Sequence, residues 1–89
     1  MSEAIETTRK RLYMRSIRRG IKEMDLILTA FSDAHLGAMD AAQLATYDAL
    51  LSENDHDLYQ WVTGQVSEPM HYGDIMDRIR AEAVGVTKP

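Results

Sequence analysis

Apolar residues recur along this chain at intervals of three and four, and strict alternation with β-branched residues is nowhere sustained, so the pattern predicts helices throughout. Five segments fit. The first runs from about Thr7 to Arg18 with Leu12, Tyr13 and Ile17 on its apolar side. Gly20 is its expected stop, because glycine costs about 1 kcal/mol inside a helix. The second runs from about Ile21 to Leu36, with one stripe of Ile21, Met24, Leu28, Phe31 and His35 and another of Ile27, Ala30 and Ala34. Two stripes predict a central helix, ended by Gly37. The third follows Asp40, a good N-cap, and carries Leu44, Tyr47 and Leu51 before "SEND" breaks it. The fourth is expected to be capped by Asp55, with Leu58, Trp61 and Val62 inward and Gly64 at its end. The loop "QVSEP" follows, since Pro69 disfavours a helical residue before it. The fifth runs from about Tyr72 to Ala83 with Ile75, Met76 and Ile79 inward, and "GVTKP" reads as a frayed tail.

Short loops between short amphipathic helices, with no heptad pattern kept over three or four repeats, predict an all-α fold: a compact five-helix bundle. It forms one domain over residues 1–89, with its core at about 7–84. A chain of 89 residues buries about 60–65% of the surface its unfolded form exposes, enough for one small core. The composition, 45% hydrophobic and 27% charged, is that of an ordinary globular protein. Without cysteine there are no disulfides, thiolate metal sites or cysteine nucleophiles. The start "MSEAIETT" has two acids, no apolar stretch and no arginine-rich character, so neither a secretory nor a mitochondrial targeting segment is read there and a cytoplasmic location is expected. Apolar runs such as "LIL" at 26–28 are far shorter than the roughly 20 residues that span a bilayer, so no membrane insertion is expected.

The stretch "ENDHDLYQW" alternates Glu53, Asp55 and Asp57 as a calcium loop does, but the positions that need glycine and a bidentate glutamate hold Leu58 and Gly64. The three histidines have no i, i+4 partner and no HExxH pattern. No P-loop, GxGxxG or GxSxG is present. The expectation is a chain with no metal site that is not an enzyme.

Charge changes the picture more. The net charge is −4, yet seven of the ten Lys and Arg lie between Arg9 and Lys22, and twelve of the fourteen acids lie from Glu23 onward. Helix-end electrostatics accounts for part of this: Arg15, Arg18 and Arg19 are expected in the last turn of the first helix, Glu23 and Asp25 in the first turn of the second. Arg19 and Glu23 are spaced to pair, in the weaker order. That leaves the preference for arginine and the glycine between Arg19 and Glu23. Glycine permits positive φ or the close approach of another backbone. Arginine's planar fork suits bidentate contacts, and with neighbouring carboxylates the segment both donates and accepts. It reads as a surface for docking a protein. The rival, a helical nucleic-acid binder using residues 9–22, is opposed by the acidic remainder of the chain. A peripheral membrane helix over "TRKRLYMRSIRR" would need the apolar residues that the bundle core needs.

At these residues the sequence resembles the small succinate dehydrogenase assembly factors that promote covalent flavin attachment to the flavoprotein subunit. Their Arg-Gly-x-x-Glu motif stands complete within Arg18-Arg19-Gly20-Ile21-Lys22-Glu23-Met24-Asp25, and a second match lies about thirty residues on, in Asp55-His56-Asp57-Leu58-Tyr59-Gln60-Trp61. Leu50 and Leu51 precede it, and the likeness extends over about Arg11 to Ile79. The resemblance implies a five-helix domain without catalytic activity that binds the flavoprotein subunit of succinate dehydrogenase and, in some bacteria, of fumarate reductase. There a partner histidine bonds to the 8α-methyl group of FAD. It implies no cofactor of the chain's own, leaves open whether free FAD is also bound, and fits a monomer when free, with neither nucleic acid nor membrane as partner. The family's functional positions fall on Arg19, Gly20 and Glu23, with Arg18 and Asp25 as neighbours. Arg19 is expected as a charge-assisted anchor, Gly20 as the close-approach point and Glu23 as an acceptor or organiser of the loop. The second motif is assigned mainly to folding.

Overall fold

A computed structural model describes residues 3–87, with side chains as far as Ala83. Among the described residues there are five α-helices and no strand: α1 (Ile5–Ser16), α2 (Lys22–His35), α3 (Ala41–Leu51), α4 (Asp55–Thr63) and α5 (Gly73–Thr87). Short 3-10 turns at Leu36–Ala38 and Met70–Tyr72 follow α2 and precede α5. The all-α five-helix architecture is the expected one.

The helix ends refine the sequence reading. α1 stops at Ser16, earlier than Arg18 and well before Gly20; Ile17 already has φ −92° and ψ 3°. In a continued helix the N–H groups of Arg19 and Gly20 would donate four residues back. Here they donate instead to carboxylates of Asp25 and Asp55, so those distant acceptors set the end of the helix. α2 runs into the 3-10 turn at Leu36, whose carbonyl accepts from Arg9 Nε at 3.2 Å while Met39 O accepts from Arg9 Nη2 at 3.0 Å. α3 has the expected Asp40 cap, completed as a capping box: Asp40 Oδ1 accepts from Gln43 N–H at 2.8 Å and Gln43 Oε1 from Asp40 N–H at 2.9 Å. α4 ends at Gly64, in the left-handed region at φ 81°. α5 continues through Gly85 to Thr87 rather than fraying after Ala83, since one glycine does not outweigh the flanking residues; Lys88 and Pro89 of the expected tail lie outside the described residues.

α2 occupies the centre, packed on α1, α4 and most extensively on α5, while α1 also lies along α3. Met24, Ile27, Leu28 and Phe31 of α2 are fully buried, joined by Leu12, Leu50, Leu58 and Met76 from the surrounding helices. Inside this apolar core sits one polar knot. Ser16 Oγ donates to Leu12 O at 2.7 Å and lies 2.6 Å from Tyr47 Oη, while Ser32 Oγ donates to Ser16 Oγ at 3.0 Å and is 3.2 Å from Tyr47 Oη. The three side chains tie α1, α2 and α3 together, and burial pushes the Tyr47 phenol above its ordinary pKa. On the surface Asp48 of α3 accepts from both Arg11 and Arg15 of α1, and Arg11 also holds Glu3 at 2.9 Å. No helix of the described residues is long and apolar enough to cross a membrane.

Two measurements test this packing. Tyr47→Phe removes one buried hydroxyl and leaves the two serines to pair, so the free energy of urea unfolding should fall by about 1–2 kcal/mol with an unchanged slope. The Arg11 hydrogen bonds hold Asp48 below the usual carboxylate range, and Arg80 does the same to Glu68. Carboxylates with lowered folded-state pKa values contribute stability that is present above their unfolded values, near 4, and is lost as the pH falls through the folded ones. The urea midpoint should therefore hold from pH 7 to about pH 5 and decline below it, less steeply in Asp48→Asn.

Candidate functional site

The linker between α1 and α2, residues 17–21, runs across the junction of α3 and α4. That junction explains the arginines. The last four carbonyls of a helix lack partners of their own. In α3, Asp48 O accepts from Arg15 Nη1 at 3.3 Å, Ala49 O from Ser52 N–H at 3.1 Å, Leu50 O from Glu53 N–H at 2.9 Å and Leu51 O from Arg19 Nη1 at 2.9 Å. Two guanidinium groups thus sit at the negative end of the α3 dipole. Arg19 Nη2 also reaches Glu53 O at 3.3 Å, and Arg19 Nη1 reaches Arg15 O at 3.5 Å.

Asp55 completes the cluster. Asn54, not Asp55, is the N-cap of α4: its Oδ1 accepts from His56 N–H at 2.8 Å. Either residue type caps well, but with Asn54 in that place the Asp55 carboxylate stands at the first helical position and is free to reach outward. Its Oδ1 accepts from Arg19 Nε at 2.7 Å and its Oδ2 from Gly20 N–H at 2.7 Å. Asp25 takes the N–H of Arg19. The side chains of Arg19 and Asp55 are only 10% and 19% exposed, which makes this the most sheltered ion pair among the described residues.

The structure therefore brings Arg19, Gly20 and Asp25 together with Asp55, which sequence reading had placed as a cap. Arg18 and Glu23 are exposed, and their side chains make no ion pair or hydrogen bond among the described residues. Arg19 and Glu23 do not pair, because the linker between them is not helical; nor do Arg18 and Arg19 belong to the last turn of α1. Gly20 does not have positive φ; Gly64 alone among the described glycines does. The close approach is internal: a Cβ on Gly20 would lie 3.1 Å from Asp55 Oδ2. Leu26, half exposed at 50%, was missed, although it is a large apolar residue on neither stripe of α2. Nearby, Tyr72 Oη donates to Glu53 Oε2 at 2.9 Å. Burial and the Glu53 charge push that phenol up. A separate cleft of about 200 Å³ between α2, α3 and α5, lined in part by Phe31, His71 and Arg78, includes none of these residues.

Replacing Arg19 strands four acceptors at once: the Asp55 carboxylate and the carbonyls of Arg15, Leu51 and Glu53. Arg19→Leu should lower the unfolding free energy by about 2–4 kcal/mol, and Arg19→Lys, which lacks the fork, should recover only part of it in the same urea titration.

Residues 10–83 match the family model Sdh5, described as the flavinator of succinate dehydrogenase. Among similar proteins are three named succinate dehydrogenase assembly factor 2, mitochondrial. That of Penicillium rubens is 48% identical over 63 residues, 71% of this chain and 20% of the relative. That of Candida glabrata is also 48% identical over 63 residues, 71% of this chain and 41% of the relative. That of Danio rerio is 38% identical over 81 residues, 88% of this chain and 51% of the relative. The chain thus spans between about a fifth and about half of the length of these relatives. Their mitochondrial names overturn the cytoplasmic location expected from the sequence. With the match extending over both motifs and most of the bundle, the chain belongs to the Sdh5 family, the flavinators of succinate dehydrogenase.

Proposed function

We propose that this chain is an assembly factor that binds the flavoprotein subunit of succinate dehydrogenase and promotes covalent attachment of FAD to it. The observation that carries the reading is the ordered 17–21 linker. Its backbone and Arg19 are fixed by Asp25, Asp55 and the end of α3, so the groups beside it are presented to a partner at little further cost in conformational entropy. In this reading the bond-making groups belong to the partner and its flavin, and this chain supplies the surface that holds them.

The family match supports succinate dehydrogenase as the partner class, and the geometry supports a division of labour among the motif residues. Arg19 and Asp25 shape the linker from within. Arg18 and Glu23 offer an exposed donor and acceptor on either side of Gly20. Leu26 lies three residues beyond Glu23 and four beyond Lys22, hence on the same face of α2, and provides an apolar centre for the contact. The nucleic-acid reading is not favoured: Arg9, Arg11, Arg15 and Arg19 are engaged by carbonyls and carboxylates of their own chain. Lys10, Arg18 and Lys22 remain, beside Glu23.

Arg18→Glu, Glu23→Lys and Leu26→Ala should each lower covalent flavin fluorescence on the co-expressed flavoprotein subunit several-fold, with urea midpoints close to that of the parent protein. Undiminished flavin attachment in all three would remove this face from the docking surface.

A further inference from the structure

Taking the proposed docking role as its premise, we propose that Asp55 is a positioning residue for that role: its carboxylate sets the shape of the Arg19–Gly20 backbone that the partner meets, and it is the reason the motif carries glycine.

Asp55 is 35 residues from Gly20 in sequence, yet each of its oxygens holds one of two consecutive linker residues, Arg19 through Nε and Gly20 through its N–H, both at 2.7 Å. A charge-assisted bond to a backbone N–H fixes the orientation of the peptide unit, not only the location of a side chain. The Arg19 N–H is held in turn by Asp25, so two successive peptide units are oriented by two carboxylates. Both acids stand in the first turn of a helix, α2 for Asp25 and α4 for Asp55, where the dipole favours negative charge. The carboxylate of Asp55 is available because Asn54 serves as the cap.

The glycine follows from the same contact. Its φ is not positive, so the backbone conformation does not require glycine. Space favours it: the Cβ of any other residue would stand 3.1 Å from Asp55 Oδ2, closer than ordinary van der Waals contact, so the carboxylate would have to give by a few tenths of an ångström against the N–H it accepts from. Gly20 and Asp55 form a coupled pair, one in each of the two motifs. The coupling predicts non-additivity, which a glycine needed only for the partner's approach would not show.

The test is a double-mutant cycle of Gly20→Ala and Asp55→Ala, with Asp55→Asn alongside. Each variant's affinity for the FAD-loaded flavoprotein subunit is measured by calorimetry, well below its own unfolding temperature. Gly20→Ala and Asp55→Ala should each weaken binding about tenfold, and the double variant should be no weaker than Asp55→Ala alone. Asp55→Asn, which keeps an acceptor for the Gly20 N–H, should fall between the parent and Asp55→Ala. Parent-like affinity in a folded Asp55→Ala would overturn the proposal. So would a loss from Gly20→Ala that is as large with Ala at position 55 as with Asp, since the glycine would then be required by the partner. A further measurement separates this from failure of the docking reading. In the free 15N-labelled protein the Gly20 amide should be protected from exchange, and its resonance should move in Asp55→Asn. Should the parent protein not bind the flavoprotein subunit, the docking reading falls, and a Gly20 amide insensitive to Asp55→Asn sinks the positioning claim by itself.

Discussion

Everything at the α1–α2 linker depends on the guanidinium of Arg19 lying between the negative end of α3 and the first turn of α4. The cation meets the Leu51 carbonyl on one side and the Asp55 carboxylate on the other. The two helix ends have opposite partial charge, so a cation and an anion are each favoured where they stand, and the pair between them is a bond in its own right. Low exposure matters here. A pair in free solvent contributes little, whereas one sheltered to 10% and 19%, with its remaining valences satisfied by carbonyls and a backbone N–H, resists loss of either member.

This arrangement changes the meaning of the basic segment. An acidic chain that gathers seven cations within fourteen residues suggests a surface for something negative outside the molecule. Instead, four arginines turn inward on carbonyls and carboxylates of their own fold. Arg9 closes the end of α2, Arg11 and Arg15 lash α1 to α3 through Asp48, and Arg19 joins α3 to α4. The preference for arginine over lysine at these places follows from the fork, since each serves two or more acceptors that a single ammonium could not span.

The helices were legible in the sequence because their apolar residues recur at helical spacing, and the 3.6-residue period survives even in segments of nine to fifteen residues. Asp40 and Gly64 were legible because a capping box and a left-handed terminus have local residue signatures. What was lost is everything set by distant partners. The end of α1 depends on acceptors at positions 25 and 55, and nothing in Ser16, Ile17 or Arg18 announces it. Asn54 and Asp55 are equally good caps, so only the fold shows which one caps and which one reaches across. Family resemblance singled out both motifs as a pair, but spacing along the chain does not say that they touch. Leu26 was hidden for the opposite reason: a residue outside the stripes is easily passed over as a filler between Asp25 and Ile27.

A domain of this size has little core with which to hold an exposed loop in one conformation. A five-residue linker with no regular structure would ordinarily sample many states, and a partner would have to select among them at the cost of affinity. Here the order comes from the ends of three helices, α2, α3 and α4, whose positions are already fixed by packing. The linker borrows their rigidity through hydrogen bonds, beside the one apolar contact that Ile21 makes with the core. Arg18, Glu23 and Leu26 are thereby left exposed on a backbone that does not have to be ordered again when a partner arrives. In the proposed docking role the two motifs act as one device: the first would carry the face that meets the partner, and the second holds the linker still.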